Sequence, residues 1–457
     1  MLNKNEIIQE TIIDITNEGY GVLKHDGFPV FVPYTVINEK VEIKVIKVAK
    51  SYAVGRVERI LKDVDTRIEP KCPVYKKCGG CSLQHMTYDE ELNIKQNYAL
   101  ETLKRIGKVN LDGVEVREIA GSDKVYHYRN KAEYPIQKDE DGKCRIGFYK
   151  SKTHDVIDND VCLLQPEIFS DVVSVVREFI DTTKCSIYDE ESHKGLLRHL
   201  YIREASVTKA MMVCLVCNGS ELPKSNVLVD MLTSKFPMIK SIVLNINTKK
   251  SNVILGDSIK VLYGSEIITD VLCGNTIEIS PLSFYQVNHD QAERLYGIAK
   301  EFAGLTGEEV LVDLYCGAGT IGLSMADKIK KLYGVEIIEP AIINARKNAK
   351  LNGITNVNFE AGDASILAKK LAEQNVKPDV IVVDPPRKGI SEDVIEACST
   401  MNPKRIVYVS CNVATLARDI EIFERTTNYR ISKVQMVDLF PRTNHVEAVA
   451  CLSREEI

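Results

Sequence analysis

Cys411 stands in the run Val407-Tyr408-Val409-Ser410-Cys411-Asn412, where an apolar strand pattern ends in polar residues. A thiol at that position is a candidate nucleophile. Cysteine is also among the most buried side chains, so a core position is the plain alternative. The flanking Ser410 and Asn412 place it instead at the edge where ligands collect. The reacting species is the thiolate, and at an unperturbed pKa of about 8.5 only a few per cent is present at neutral pH. Positive charge from a cofactor or from Arg387 would raise that fraction. Asp384-Pro385-Pro386-Arg387 ends another strand pattern, and each proline locks φ, so Asp384 is held rigidly just past a strand end. His445-Val446-Glu447 opens the last strand pattern and offers a base, Glu447 or His445.

The run from Glu309 to Gly322 is a buried strand, a turn with Gly317, Gly319 and Gly322, and the start of a helix. Such glycines let a backbone approach a nucleotide-like cofactor closely. Glu336 ends the next strand, where a carboxylate meets ribose hydroxyls. Asp363, in Ala361-Gly362-Asp363-Ala364, is placed to receive an adenine amino group, although a turn aspartate needs no ligand. Taken alone, the glycine turn fits a nicotinamide dehydrogenase. Two details favour S-adenosylmethionine. Asp313 precedes the turn, where it can neutralise a cationic ligand, and Asp384-Pro385-Pro386-Arg387 is a segment a dehydrogenase does not need.

Methyl transfer to nitrogen or oxygen requires no covalent intermediate, so a cysteine in such a site singles out carbon. C5 of uracil is a poor nucleophile. Thiolate addition at C6 makes an enolate and thereby a reactive C5. After the methyl arrives, a base must remove the C5 proton so that the thiolate can leave.

Cys72, Cys78 and Cys81 lie within ten residues, beside Pro73 and Gly79-Gly80, which points to metal binding. Cys162 is a plausible fourth ligand. Spacing leaves zinc and an iron–sulfur cluster both open. Cys214 and Cys217 have a metal-like spacing but sit in an apolar strand pattern. Residues three apart on a strand face opposite sides, so this pair is rejected.

These residues need elements to position them. The chain has 457 residues, 44% hydrophobic and 27% charged, which suits about three globular domains. No run of about 18 apolar residues suggests a membrane span, and the N-terminus has no apolar signal core, so a cytoplasmic protein is expected. Thirteen cysteines in a reducing compartment are not expected to form disulfides. A net charge of −5 neither favours nor excludes a nucleic-acid partner. Residues 1–62 show short alternating runs, among them Lys40 to Val48, which predict a small β-barrel. Residues 63–283 begin with the cysteine loop and continue with a helix over Tyr88 to Ile106 and scattered strands, an α+β pattern. Residues 284–457 alternate strands and helices, which predicts a Rossmann-like α/β domain with a parallel sheet. The expected strands are Glu309–Leu314, Lys331–Glu336, Val357–Ala361, Val380–Val383, Arg405–Ser410 and Val446–Cys451.

With these segments in place, the chain resembles the bacterial RNA uracil-C5-methyltransferases, in particular the iron–sulfur-containing enzymes of large-subunit ribosomal RNA. The resemblance spans nearly the whole length. It rests on the Cys72/Cys78/Gly79-Gly80-Cys81 loop, Ser283-Phe284-Tyr285-Gln286-Val287-Asn288, Asp313 to Gly317, Asp384 to Arg387, Ser410-Cys411-Asn412 and His445-Val446-Glu447. It implies a TRAM RNA-binding barrel in residues 1–62, a central domain in 63–283, and a class I S-adenosylmethionine-dependent domain in 284–457. It further implies a [4Fe-4S] cluster on Cys72, Cys78, Cys81 and Cys162, Cys411 as nucleophile and Glu447 as base. Gln286, Tyr315, Glu336 and Asp384 become the cofactor contacts, with Asp363 near the adenine and Phe284 stacked near a flipped uracil. Thr320 departs from the Asn that often follows the second glycine; its hydroxyl replaces only one hydrogen bond of the amide.

The implied partner is a 23S ribosomal RNA loop, met before full ribosome assembly, with no DNA and no membrane, and nothing suggests more than a monomer. Such an enzyme must flip its uracil out of folded RNA. The same chemistry on the transfer-RNA T-loop is the alternative, disfavoured because related transfer-RNA enzymes commonly lack both the barrel and the cysteine loop. A non-catalytic RNA-binding module would not need the Cys411 and Glu447 pair.

Overall fold

The computed structural model describes residues 2–159 and 161–455. Six strands fill the N-terminal segment: β1 (Ile7–Thr11), β2 (Asp14–Ile15), β3 (Tyr20–His25), β4 (Phe28–Pro33), β5 (Lys40–Val48) and β6 (Ala53–Lys62). They pair in the order β1-β5-β6-β4-β3-β2. Alternation sets the faces: Val41, Ile43 and Val45 of β5 are buried, while Lys40 and Lys47 are outward. β1 and β2 occupy opposite edges of the order, yet only Ile12 and Ile13 separate them. Ile12 N–H donates to Glu39 O and Ile13 N–H to Val22 O, so the sheet bends round on itself over Leu23, Val30 and Val32.

Helix α1 (Tyr88–Arg105) and the short strand β7 (Glu115–Val116) follow the cysteine loop. A second sheet is built from β8 (Lys131–Lys138), β9 (Cys144–Tyr149), β10 (Val156–Asp158), β11 (Leu197–Glu204), β12 (Met211–Cys217), β13 (Ile239–Ile246) and β14 (Ser258–Gly264). Its order is β10-β9-β8-β11-β12-β13-β14. One face carries α2 (Ile168–Thr183) and α3 (Ser225–Lys235); the other packs into the core of the C-terminal half. Cys214 belongs to the C-terminal core and Cys217 to the α2/α3 core, which is why this pair cannot share a metal.

The C-terminal half holds a hairpin, β15 (Ile268–Leu272) and β16 (Asn275–Ile279), and then an alternating series. This runs α4 (His289–Ala303), β17 (Val310–Leu314), α5 (Thr320–Met325), β18 (Lys331–Glu336), α6 (Glu339–Leu351), β19 (Val357–Ala361), α7 (Ala364–Glu373) and β20 (Val380–Val383). It ends with α8 (Glu392–Met401), β21 (Arg405–Ser410), α9 (Val413–Thr426), β22 (Tyr429–Val437) and β23 (Glu447–Arg454). The sheet order is β19-β18-β17-β20-β21-β23-β22-β7. β17 to β21 are mutually parallel, and β23 runs antiparallel to both β21 and β22. Helices α4, α5 and α6 cover one face; α1, α7, α8 and α9 cover the other. Central strands buried on both faces need apolar residues throughout, as in Val380-Ile381-Val382-Val383.

This is the Rossmann-like α/β architecture, with two differences from the sequence reading. β22 is an additional strand, whose mixed run Tyr429-Arg-Ile-Ser-Lys-Val-Gln lacks the continuous apolar signal. And α1 and β7, from the segment before residue 283, pack on this sheet and extend it. Among the described residues no helix is long and apolar enough to cross a membrane.

A buried ion group fixes the segment that leads into β23. Lys95 Nζ donates to Glu91 Oε1 and Asp438 Oδ1, both at 2.7 Å, and to Phe440 O at 3.2 Å. Tyr88 OH donates to Asp438 Oδ2 at 2.7 Å. Arg442 donates its backbone N–H to Glu91 Oε1 at 2.7 Å and its Nη1 to Met86 O at 3.2 Å. Two cations and two carboxylates thus neutralise each other out of water. Lys95→Met strands Glu91 beside Asp438, and we expect a loss of about 3–5 kcal/mol of stability. Urea unfolding should show a lower midpoint at unchanged slope; a wild-type midpoint would refute the arrangement.

Candidate active site

In the β21–β23 ladder, Val409 faces Val449 and Ser410 faces Ala448. The ladder ends there; Cys411 follows β21 and Glu447 precedes Ala448, and the two lie within electrostatic reach. Glu447 begins its strand buried, at 5% exposure, whereas Cys411 retains solvent access. Burial pushes the Glu447 carboxyl up to about 8; the charge of Asp384 adds to this and Arg387 opposes it. Burial also pushes the Cys411 thiol up to about 11, with Glu447 and Asp384 adding and Arg387 opposing. Arg387 therefore acts in the expected direction, but desolvation and two carboxylates outweigh it. At neutral pH, without a ligand, the thiol is protonated.

The loops carrying these groups are tied together. Asn412 caps α9 by accepting from Ala414 N–H at 3.1 Å, and its Nδ2 donates to Arg387 O at 3.0 Å. Thr415 Oγ1 donates to the same carbonyl at 3.3 Å. Buried Asp419 accepts from Tyr408 OH at 2.6 Å and from Ile390 N–H at 2.9 Å, which joins the loop after Asp384 to the strand before Cys411.

Beside this pair lies the glycine turn. Tyr315 has φ of 66°, Gly317 54° and Gly319 79°. A tyrosine in the left-handed region is a strained conformation, which packing must hold. A Cβ on Gly319 would come within 3.0 Å of the Phe359 ring, whereas one on Gly317 would meet nothing within 4 Å. Gly319 thus permits close helix–strand packing, and Gly317 faces open space. Glu336 braces the turn, accepting from Gly317 N–H at 3.2 Å and Ile338 N–H at 2.9 Å.

Asp313 is fully buried. Its Oδ2 accepts from Gly322 N–H at 3.0 Å, and its Oδ1 has no hydrogen-bond partner. Burial, then the charge of Asp384, pushes its carboxyl up to about 8, with Glu336 adding. Burial raises Asp384 to about 7. Carboxylates that destabilise one another round a glycine turn, one with an unused oxygen, fit a cationic ligand such as S-adenosylmethionine.

The other expected contacts are placed as follows. Thr320 Oγ1 and the Tyr296 hydroxyl lie 3.2 Å apart, and the Gln286 side chain acts on the same hydroxyl. Tyr296 was not legible in the sequence, where it reads only as a core position of α4. Asn130, equally unmarked, donates its Nδ2 to Gln286 O at 2.9 Å and its N–H to Val287 O at 2.8 Å. Phe284, in the same loop, is 75% exposed. Asp363 is exposed and caps α7, its Oδ1 accepting from Ser365 N–H at 2.9 Å and Ile366 N–H at 3.3 Å. That role is complete without a ligand.

Cys72, Cys78 and Cys81 come from the loop after β6, and Cys162 from the loop after β10. Burial pushes the Cys81 thiol up to about 12 and the Cys162 thiol to about 11, and the other thiols add to both shifts. These thiols lie within electrostatic reach of one another, and thiols as donors suit a soft metal or cluster. Among the described residues, however, no group of three or more His, Cys, Asp or Glu side chains is arranged as a metal site. The thiol loop is anchored at the catalytic end: Ser82 and Leu83 N–H donate to Arg442 O at 3.0 and 3.1 Å.

The sheet order, the glycine turn and the carboxylates at its edge define a Rossmann-like methyltransferase that uses S-adenosylmethionine. A family model described as tRNA (Uracil-5-)-methyltransferase matches residues 260–455. An "uncharacterized RNA methyltransferase" of Halalkalibacterium halodurans is 45% identical over 99% of this chain and 98% of its own length. One from Staphylococcus aureus is 42% identical over 98% of each. The crystal structure of the Pyrococcus abyssi tRNA (uracil-54, C5)-methyltransferase with S-adenosyl-L-homocysteine superposes with a TM-score of 0.78. It is 31% identical and covers 97% of this chain and all of that one. The chain belongs to the RNA (uracil-5-)-methyltransferase family.

The Pyrococcus match corrects one argument. The uncovered 3% is shorter than the 62-residue N-terminal segment, so a transfer-RNA enzyme shares that segment at least in part. The segment does not separate ribosomal from transfer-RNA substrates.

Glu447→Gln removes a negative neighbour of Cys411 and should lower its pKa. At pH 9 iodoacetamide should then alkylate Cys411 faster than in the wild type, about tenfold for each unit lowered. Mass spectrometry of the Cys411 peptide reads the rate, with Cys411→Ser as control; equal rates would show that the Glu447 charge does not reach the thiol.

Proposed function

We propose that this chain makes 5-methyluridine in large-subunit ribosomal RNA, with Cys411 as nucleophile and Glu447 as base. The observation that supports the chemistry is the ladder register that ends with Ser410 opposite Ala448, one residue short of Cys411 and Glu447, together with the electrostatic influence of Glu447 on Cys411. Bound S-adenosylmethionine supplies an electrophilic methyl group on a sulfonium. Asp313, Glu336 and Asp384 line its site, with Gln286, Tyr315 and Thr320 beside them, Asp363 at the adenine end and Phe284 against the extruded base.

The Cys411 thiol gives up its proton to solvent and its thiolate forms a bond to C6, while the C5–C6 π electrons move into a C4–C5 double bond and the C4 carbonyl π pair goes to oxygen as an enolate. The enolate then collapses as C5 bonds to the methyl carbon and the methyl–sulfur bond of the sulfonium breaks, leaving a neutral thioether. Glu447 removes the C5 proton, the C5–C6 double bond re-forms, and the C6–sulfur bond breaks to return the electron pair to Cys411. Charge compensation of Asp384 in the loaded cleft removes part of the field that, after burial, keeps Cys411 and Glu447 protonated. The N-terminal sheet, read as a TRAM barrel, and the central domain hold the RNA.

The ribosomal target is supported by the cysteine loop. Its four thiols are read as ligands of a [4Fe-4S] cluster with a structural role. A second reading, a transfer-RNA uridine, is favoured by the name and full coverage of the Pyrococcus enzyme.

RNA carrying 5-fluorouridine tests the chemistry and the target together, because Glu447 cannot remove fluorine and the adduct persists. A covalent complex with a ribosomal loop, absent in Cys411→Ser, is expected. A complex with a transfer-RNA T-arm alone would move the substrate; none with either RNA would remove the mechanism. Separately, anaerobically prepared protein should carry iron and a brown absorbance that Cys78→Ser loses. Zinc or no metal would discard the cluster.

A further inference from the structure

β11 and β8 pair antiparallel with Arg203 opposite Lys131 and Tyr201 opposite Glu133. All four side chains share one face of the central sheet, the face whose Tyr201 packs into the C-terminal core. Like charges directly opposite each other in a ladder destabilise it. Here one of the two is also buried: Arg203 is 2% exposed. Lys131 is held by Glu133 at 3.0 Å, but among the described residues no carboxylate forms an ion pair with Arg203, and its Nε has no hydrogen-bond partner there. The Arg203 guanidinium lies 5.6 Å from the Tyr201 ring centre and 6.0 Å from that of Tyr285. Two aromatic faces keep it in place as a cation without neutralising it. Arg129 adds to the same positive field, opposing the charge on Lys131 together with Arg203.

The seat is next to the reaction. Arg203 Nη1 donates to Ser283 O at 3.3 Å, the residue before Phe284. On the other side of Phe284, Asn130 holds Gln286 O. The central sheet therefore grips the loop of the exposed aromatic at both ends and sets its unbalanced cations beside it. We infer that Lys131 binds a backbone phosphate of the RNA next to the extruded uridine, and that Arg203 is a positioning residue that fixes the Phe284 loop and supplies charge beneath that phosphate. The inference rests on the proposed RNA reading and adds a contact to it. A phosphate supplies the anion that Arg203 lacks, and its arrival is coupled through Ser283 to the loop that meets the base.

The test is RNA binding by the full-length protein as a function of salt. Each phosphate contact contributes about one to the slope of log K against log salt concentration. Lys131→Met should weaken RNA binding about tenfold at low salt and lower the slope by about one, with S-adenosylmethionine affinity unchanged. Arg203→Lys should keep the slope and lose the Phe284 loop, seen as slower 5-fluorouridine trapping at saturating RNA. An unchanged slope in Lys131→Met, with wild-type trapping intact, would overturn the phosphate seat and leave the methyltransferase reading standing. Wild-type protein that neither binds nor traps RNA would overturn both.

Discussion

The antiparallel return of β23 is the constraint on which the site depends. Parallel strands bring only their carboxyl ends to one edge of a sheet, and ligands collect there. The glycine turn, Asp384 and Cys411 all follow such ends. The proposed base needs a rigid mount at the same edge as the proposed nucleophile. β23 runs the other way, so that Glu447, its first residue, begins at the edge where Cys411 follows the last residue of β21. The ladder sets the pairing to one residue, because a slip of one would turn Glu447 to the opposite face. The buried ions Glu91, Lys95, Asp438 and Arg442 then fix where that strand can begin.

The same edge holds unfavourable charge. Asp313, Asp384 and Glu447 all have raised carboxyls, and burial is the leading cause in each. The folded protein holds these protons more tightly than an unfolded chain would. The three groups therefore lower stability as the pH rises from about 4, the ordinary carboxyl range, through about 8. A cation in the cleft relieves this penalty. Affinity for a sulfonium and the readiness of Cys411 to ionise thus have one electrostatic origin.

Much of this was legible in residue patterns. Apolar runs located the parallel strands because a strand buried on both faces has few alternatives in composition. The proposed nucleophile was picked out where a residue type breaks such a pattern, as Cys411 does between Ser410 and Asn412. Three things were not. β22 alternates polar and apolar residues too loosely to stand out. α1 and β7 join a sheet whose other strands begin some two hundred residues later, and no local signal encodes that. Tyr296 and Asn130 act through contacts with Thr320 and Gln286 that only the folded chain creates. Asp363 shows the converse: its position suggests a ligand, and its geometry also completes an ordinary helix cap.

The strand order has a further consequence, for the time at which the sheet exists. β23 lies between β21 and β22, and β22 alone holds β7. During synthesis β22 therefore emerges with its partner strand still unmade, and its edge cannot join the sheet until residues 447–454 follow. The segment before β23 also needs early parts of the chain: Asn444 Nδ2 donates to Asn17 O at 2.6 Å, across 427 residues. The first and last segments of the polypeptide are thus fastened in one event. A chain cut off between residues 411 and 446 would carry the Cys411 thiol without the Glu447 carboxylate.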